Sequence, residues 1–326
     1  MRDLARLPKV HLHVHLESTI RPATLREIAA ANDAEPPGPA PAGFAGFRAF
    51  ADRNALVRAC LRRPADFTRI AREFASDAAA DGVGYAEVTF SAAAHGERLG
   101  DTGMPLRAVI EGLEQGRAAH GLAYGLILDH SRRRPPQRAR RTLDLALEHP
   151  SKVVAIGMAG DESYPLAPFA AVLAEAAAAG VRTVHHAGEM RGPDSVGEAL
   201  ASGTRRLGHG IRVLEDAALT AQVRDSGIAL EVCPSSNVAL GLVDSLAAHP
   251  LPRLREAGLA VALDTDVPDV AGRSLSGEYA AVRAAFGCSD AELAEMARTG
   301  IAASFAPQAL RRELLAGVDA WLAAPA

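Results

Sequence analysis

His13 and His15 sit two positions apart in Val10-His11-Leu12-His13-Val14-His15-Leu16. In an extended strand, residues i and i+2 point to the same side, so both imidazoles project together. His11 shares that parity but lies further back along the strand. Imidazole nitrogen and carboxylate oxygen are the ligands a zinc ion takes, although hydrogen-bonded histidines in a core or on a surface give the same spacing. A second group, Val184-His185-His186-Ala187-Gly188-Glu189, ends an apolar run that starts at Val181. A partly buried carboxyl at Glu189 would have a raised pKa and could act as a general acid; the plainer role is a helix-start carboxylate. In Leu207-Gly208-His209-Gly210 an imidazole stands between glycines, which allow close backbone approach, or else caps a turn. In Leu263-Asp264-Thr265-Asp266, two acids follow an apolar stretch. Acids placed there need a metal or donors to offset desolvation, unless they cap a helix.

These residues need a scaffold that brings them together. Short β-like runs recur at 10–16, 85–90, 123–128, 152–158, 181–186, 206–209, 228–233 and 259–263. Ala/Leu/Arg/Glu-rich helical stretches such as Leu166 to Ala179 and Ser195 to Ala201 lie between most of them. Eight alternating units predict an α/β fold, a (β/α)8 TIM barrel. A doubly wound open sheet is the alternative, but no GxGxxG follows the first run. In a barrel, catalytic groups gather at the C-terminal ends of the strands. His13, His15, His186 and Asp266 then meet at the ends of the first, fifth and last strands, with Glu189 and His209 between. That is a mononuclear zinc site with an open coordination position, an acid and a base. Zinc makes hydroxide available near neutral pH.

The connection from 22 to 80 is long. It has a helix-like stretch from Pro22 to Asn32, then Glu35-Pro36-Pro37-Gly38-Pro39-Ala40-Pro41, which cannot be regular. Phe44, Phe47 and Phe50 and more helical sequence follow. An excursion after the first strand lies at the catalytic rim, so it reads as a helical lid, with a surface linker as the plainer reading. No repeat or boundary divides the chain, so residues 1–326 read as one hydrolase domain.

The net charge of −4 carries no global basic excess for nucleic acid. Arg132, Arg133, Arg134, Arg138, Arg140 and Arg141 read as a solvated loop and helix start. Cys60, Cys233 and Cys288 suggest neither a disulfide framework nor a metal knuckle. Met1 to Lys9 lacks a signal-peptide core, and no apolar run has transmembrane length. The expectation is a soluble cytoplasmic protein without membrane or nucleic-acid partners.

From Leu7-Pro8-Lys9 to about Tyr279 the chain resembles the adenosine and AMP deaminase branch of the amidohydrolase superfamily. The resemblance rests on Pro8 to Glu17, Thr183 to Glu189, Leu207 to Gly210, Glu231-Val232-Cys233-Pro234-Ser235-Ser236-Asn237, and Thr265-Asp266 followed by Pro268; Ser274-Leu275 and Glu278-Tyr279 also match. It implies one zinc per chain on His13, His15, His186 and Asp266. His209 would orient the attacking water or take its proton. Glu189 would protonate the ring nitrogen beside the carbon under attack, leading to loss of ammonia. Glu17 would contact the ribose hydroxyl, and the Gly160 backbone would donate to another ring nitrogen. The cytidine-deaminase zinc site needs HxE and PCxxC, which are absent.

Four positions depart from the family pattern. Val267 replaces an acid that bonds the imidazole-side nitrogen of a purine, and Asp269 is a candidate substitute. Ser18 replaces a glycine, Thr89 an arginine and Ala271 an aromatic. The leading expectation is zinc-dependent deamination of adenosine or a related adenine nucleoside. Val267 motivates an alternative: another amino-heterocycle, such as a modified or N6-substituted purine, aminodeoxyfutalosine, or a ring lacking that nitrogen. A non-catalytic zinc-binding barrel is the third reading, and the intact Glu189 and His209 argue against it.

Overall fold

The structure, a computed structural model, describes residues 1–41 and 43–325. Its strands are β1 (Lys9–His15), β2 (Val83–Phe90), β3 (Ala123–Ser131), β4 (Val153–Ala159), β5 (Arg182–Thr183), β6 (His185–Ala187), β7 (Arg206–His209), β8 (Ala229–Val232) and β9 (Val261–Leu263). They are short and mostly buried, as strands covered by helices must be, although polar residues are interspersed in β1, β5, β7 and β8. All pairings are parallel, in the orders β1-β2-β3-β4-β5 and β6-β7-β8-β9.

Two seams join these sheets into a barrel. Between β5 and β6 only Val184 leaves the ladder, and its N–H still reaches the Ile156 carbonyl at 3.0 Å. The run expected over 181–186 is therefore one stave broken at a single residue. At the other seam, Asp266 N–H donates to the His13 carbonyl and His15 N–H to the Asp266 carbonyl, both at 2.9 Å. The sheet closes on itself, which excludes the open doubly wound alternative. Ile127, Ala155 and Val184 fill the barrel interior as their own small cluster. At Gly157 a Cβ would lie 2.5 Å from the Val184 carbonyl oxygen, so only glycine permits that approach.

Between β1 and β2 run α1 (Pro22–Ala31), α2 (Phe47–Cys60) and α3 (Pro64–Ala80). Pro64 starts α3, and the Asp66 carboxylate accepts from the Arg62 and Arg63 N–H groups at 2.9 Å. Phe67, Ile70, Ala71, Phe74, Ala75 and Ala78 recur at helical spacing and bury one face against the barrel. In contrast, α2 buries only Phe50, Val57 and Cys60. The segment 35–41 forms no helix or strand; residue 42, within the expected lid, and residue 326 lie outside the described residues. Among the described residues, no helix is long and apolar enough to cross a membrane.

Candidate active site

The end of β1 delivers His13 and His15, β6 delivers His186, and the turn after β9 delivers Asp266. One nitrogen or oxygen from each lies within 4.8 Å of the others. His15 Nε2 is 3.2 Å from His186 Nε2 and 3.3 Å from Asp266 Oδ1. His13 Nε2 is 3.5 Å from the same oxygen and, among the described residues, is buried without a hydrogen-bond partner. Three imidazoles and a carboxylate converging on one point, with an orphaned nitrogen among them, fit a divalent cation of the zinc class. Burial, the largest influence on His13, disfavours its charge, yet Asp266 and Glu231 together push its pKa up to about 10. Metal binding would displace that proton. His186 is held well below the usual histidine range by burial and then by His13, so it is the neutral imidazole a metal needs.

The cluster is braced from outside. His13 Nδ1 donates to Glu231 Oε2 at 2.8 Å, and Glu231 Oε1 accepts from Arg206 Nε at 2.5 Å. Arg206 also pairs with Glu87, and all three charged groups are buried. Ser236 donates its hydroxyl to Asp266 Oδ2 at 2.6 Å. Arg132 is buried and bonds the His186 carbonyl. This corrects the expectation of a solvated arginine run at Arg132 alone, whose guanidinium is taken up by the His186 carbonyl; Arg133, Arg138 and Arg140 are exposed as expected. Asp264 does not join the cluster; its Oδ1 accepts the Leu12 and His13 N–H groups at 2.6 and 3.0 Å. His11 also stays away, because the β1–β2 ladder shifts register between His11 and Val14. It bonds Thr265 Oγ1 at 2.8 Å, with its ring 6.4 Å from that of Phe74 and tilted by 39°.

Glu189 and His209 face the cluster from β6 and β7. His209 Nε2 lies 3.6 Å from Glu189 Oε1. Burial, then Asp266 and Glu162, raises the Glu189 pKa well above the usual carboxylate range. Burial and then His13 push His209 down to about 3. Burial thus favours the protonated form of Glu189 and the neutral form of His209. His209 and Asp266 have φ of 66° and 57°, an unusual region for side chains with a Cβ. The Glu162 carboxylate accepts from the N–H groups of Gly188, Glu189, Met190 and Arg191 at 2.9–3.3 Å, which fixes the loop carrying the acid. Sequence reasoning gave Glu162, Glu231, Ser236 and Asn237 no roles. The run Glu231 to Asn237 was the visible signal for the last three, and Glu162 followed Gly160 by two positions.

A cavity of about 270 Å³ opens beside the cluster. Phe47, Phe50, Leu240 and Val267 line it together with Glu17, Ser91, Asp129 and Gly160. Glu17 Oε1 lies 3.1 Å from His95 Nε2 and accepts Ser91 N–H at 3.3 Å. Gly160 has φ +84°, and a Cβ there would meet Ser131 Oγ at 3.1 Å. Val267 packs with Phe50, Ala239, Leu240 and Val270. Asp269, the candidate substitute for the missing acid, instead pairs with Arg53 at 2.7 Å and lines a separate surface groove.

Comparison with known proteins places these features in context. The family described as adenosine deaminase matches residues 8–321. The chain is 35% identical over 340 residues to a putative adenosine/adenine deaminase of Streptomyces coelicolor, covering 99% of each chain. It superposes on the crystal structure of adenine deaminase from Arthrobacter aurescens with a TM-score of 0.92 at 30% identity, over 97% of this chain and 99% of that one. An amidohydrolase of Burkholderia ambifaria with bound zinc gives 0.86 at 25% identity, over 98% and 94%.

Proposed function

The chain belongs to the adenosine deaminase family and is a hydrolytic deaminase; from that premise we propose that it converts adenosine or a related adenine nucleoside to the 6-oxo product and ammonia, using one zinc ion per chain. The observation that carries this reading is the raised-pKa Glu189 and neutral His209 side by side at the edge of the His13, His15, His186 and Asp266 cluster.

Those four residues would hold the zinc, which when bound supplies the Lewis acidity that makes water ionisable near pH 7. His209 orients the attacking water or takes its proton. Glu189 carries the proton destined for the ring nitrogen beside the carbon under attack, and protonation makes that carbon electrophilic. Glu17 would contact a ribose hydroxyl, and the Gly160 backbone would donate to a second ring nitrogen; both line the cavity beside the cluster. In this reading residues 22–80 form a lid on a single hydrolase domain. Support comes from Phe47, Phe50 and Arg58 of α2, which line the cavity while α2 itself is lightly buried.

A second reading keeps the reaction and changes the ring. Val267 and its apolar neighbours present no hydrogen-bonding group where the family acid would stand, and Asp269 is turned to Arg53. A modified or N6-substituted purine, or a ring with carbon at that edge, suits such a wall. The test is ammonia release from adenosine, deoxyadenosine, adenine, AMP and N6- or ring-modified analogues, with metal-depleted and zinc-restored enzyme. Adenosine as the preferred substrate, active only with metal, supports the first reading. Preference for a modified ring supports the second, and no ammonia from any of them refutes both.

A further inference from the structure

His249 lies between a short turn, Leu246–Ala248, and the helix Leu251–Glu256. Its Nδ1 accepts the Leu251 backbone N–H at 3.1 Å. A backbone N–H only donates, so Nδ1 of a neutral ring carries no proton there. Burial keeps His249 neutral, with its pKa down to about 4. The ring proton is then on Nε2, which donates to Asn237 Oδ1 at 3.2 Å. This contact fixes the Asn237 amide with its NH2 toward the active site. Asn237 Nδ2 lies 3.2 Å from Glu189 Oε1 and 3.3 Å from His209 Nδ1, one N–H for each. His209 Nδ1 is thus an acceptor, and its proton sits on Nε2. That atom is buried, faces the metal cluster and has no hydrogen-bond partner among the described residues.

We infer that His249 is a positioning residue: acting through Asn237, it fixes His209 as the tautomer whose Nε2–H points at the metal cluster, so that His209 donates to the attacking oxygen instead of removing its proton. The inference rests on the deaminase reading and decides between the two roles that reading leaves to His209. The proton of the attacking water goes to solvent before attack. The oxygen then bonds the ring carbon as Glu189 gives its proton to the adjacent ring nitrogen. The new hydroxyl proton passes to the amine as the C–N bond breaks, ammonia leaves, and Glu189 recovers a proton from solvent.

Two variants of the zinc-loaded full chain test this, with His249→Leu removing the donor and His249→Gln retaining one. Long-range 1H–15N spectra of the histidine rings, recorded without substrate, are expected to show His209 as Nε2–H in the wild type. His249→Leu should give a mixture of tautomers, and His249→Gln should restore the wild-type signature. The Leu variant should lose about tenfold in kcat with KM little changed, the loss expected from one mispositioned hydrogen bond. An Nδ1–H signature in the wild type overturns the inference, as does an unchanged His209 spectrum in the Leu variant. Should the Leu variant not fold, the wild-type spectrum alone decides. Because the spectra need no substrate, failure of this inference is distinguishable from failure of the deaminase reading.

Discussion

Glu231 Oε2 lies 2.8 Å from His13 Nδ1, both buried, so one ring proton is held on the side away from the metal cluster and Nε2 is the nitrogen left to bind a metal once its own proton is displaced. Partners of this kind set the tautomer and basicity of a metal ligand. Glu231→Gln is expected to weaken zinc binding by about 10- to 100-fold. Competition against a chelator of known affinity measures it, and an unchanged zinc affinity would remove Glu231 from the metal site.

Arg206 is enclosed by Glu87 and Glu231, with its guanidinium 4.2 Å from the centre of the Phe305 ring. Arg206→Met leaves the buried Glu87 without a cation and Glu231 with His13 alone. Breaking such a buried network costs about 3–5 kcal/mol. Urea denaturation of the variant should show a loss of this size, whereas a surface ion pair such as Arg48–Asp52 should give almost none on removal.

In the proposed role Glu189 works only while protonated, and its pKa is raised by burial, then by Asp266 and Glu162. Its working form therefore prevails on the acid side and is lost as pH rises through the raised value, giving an alkaline limb to kcat/KM. Glu162→Gln removes one of the neighbouring charges that raise it. The alkaline limb should move to lower pH in that variant, besides any loss of rate from a loosened 188–191 loop. A limb that stays in place would mean that another group sets it. Glu189→Gln should abolish turnover at every pH with zinc still bound.

Val267→Asp restores the acid that the family pattern places after Asp266. Set among Phe50, Leu240 and Val270, an unpaired carboxyl should lower stability by about 1–3 kcal/mol. If adenosine is the substrate, its kcat/KM should rise about tenfold through the new hydrogen bond, the gain one such bond supplies. A fall for adenosine with the same loss of stability would favour a ring with carbon at that edge.

The sequence made the chemistry legible wherever a strand's alternation or its C-terminal end carried it. His13 and His15 share a side because β1 is extended, and His186, His209 and Asp266 follow apolar runs that end at the barrel mouth. The bracing groups were not legible for a physical reason. Glu162 acts on the loop 26–29 residues later, and Arg206 reaches Glu87 across 119 positions; no local period links such pairs. His11 and Arg132 misled in opposite directions. A register shift in β1 turned one away from the cluster, and a free backbone carbonyl drew the other, read as solvated, into the interior.

Asp266 offers a carboxylate to the cluster and, with its own N–H and carbonyl, stitches the last stave to the first. The seam of the barrel and the metal site are therefore one location. If the four residues hold zinc as proposed, an unclosed ring of strands would lack the fourth ligand in place, and tight zinc binding would report that the barrel has closed.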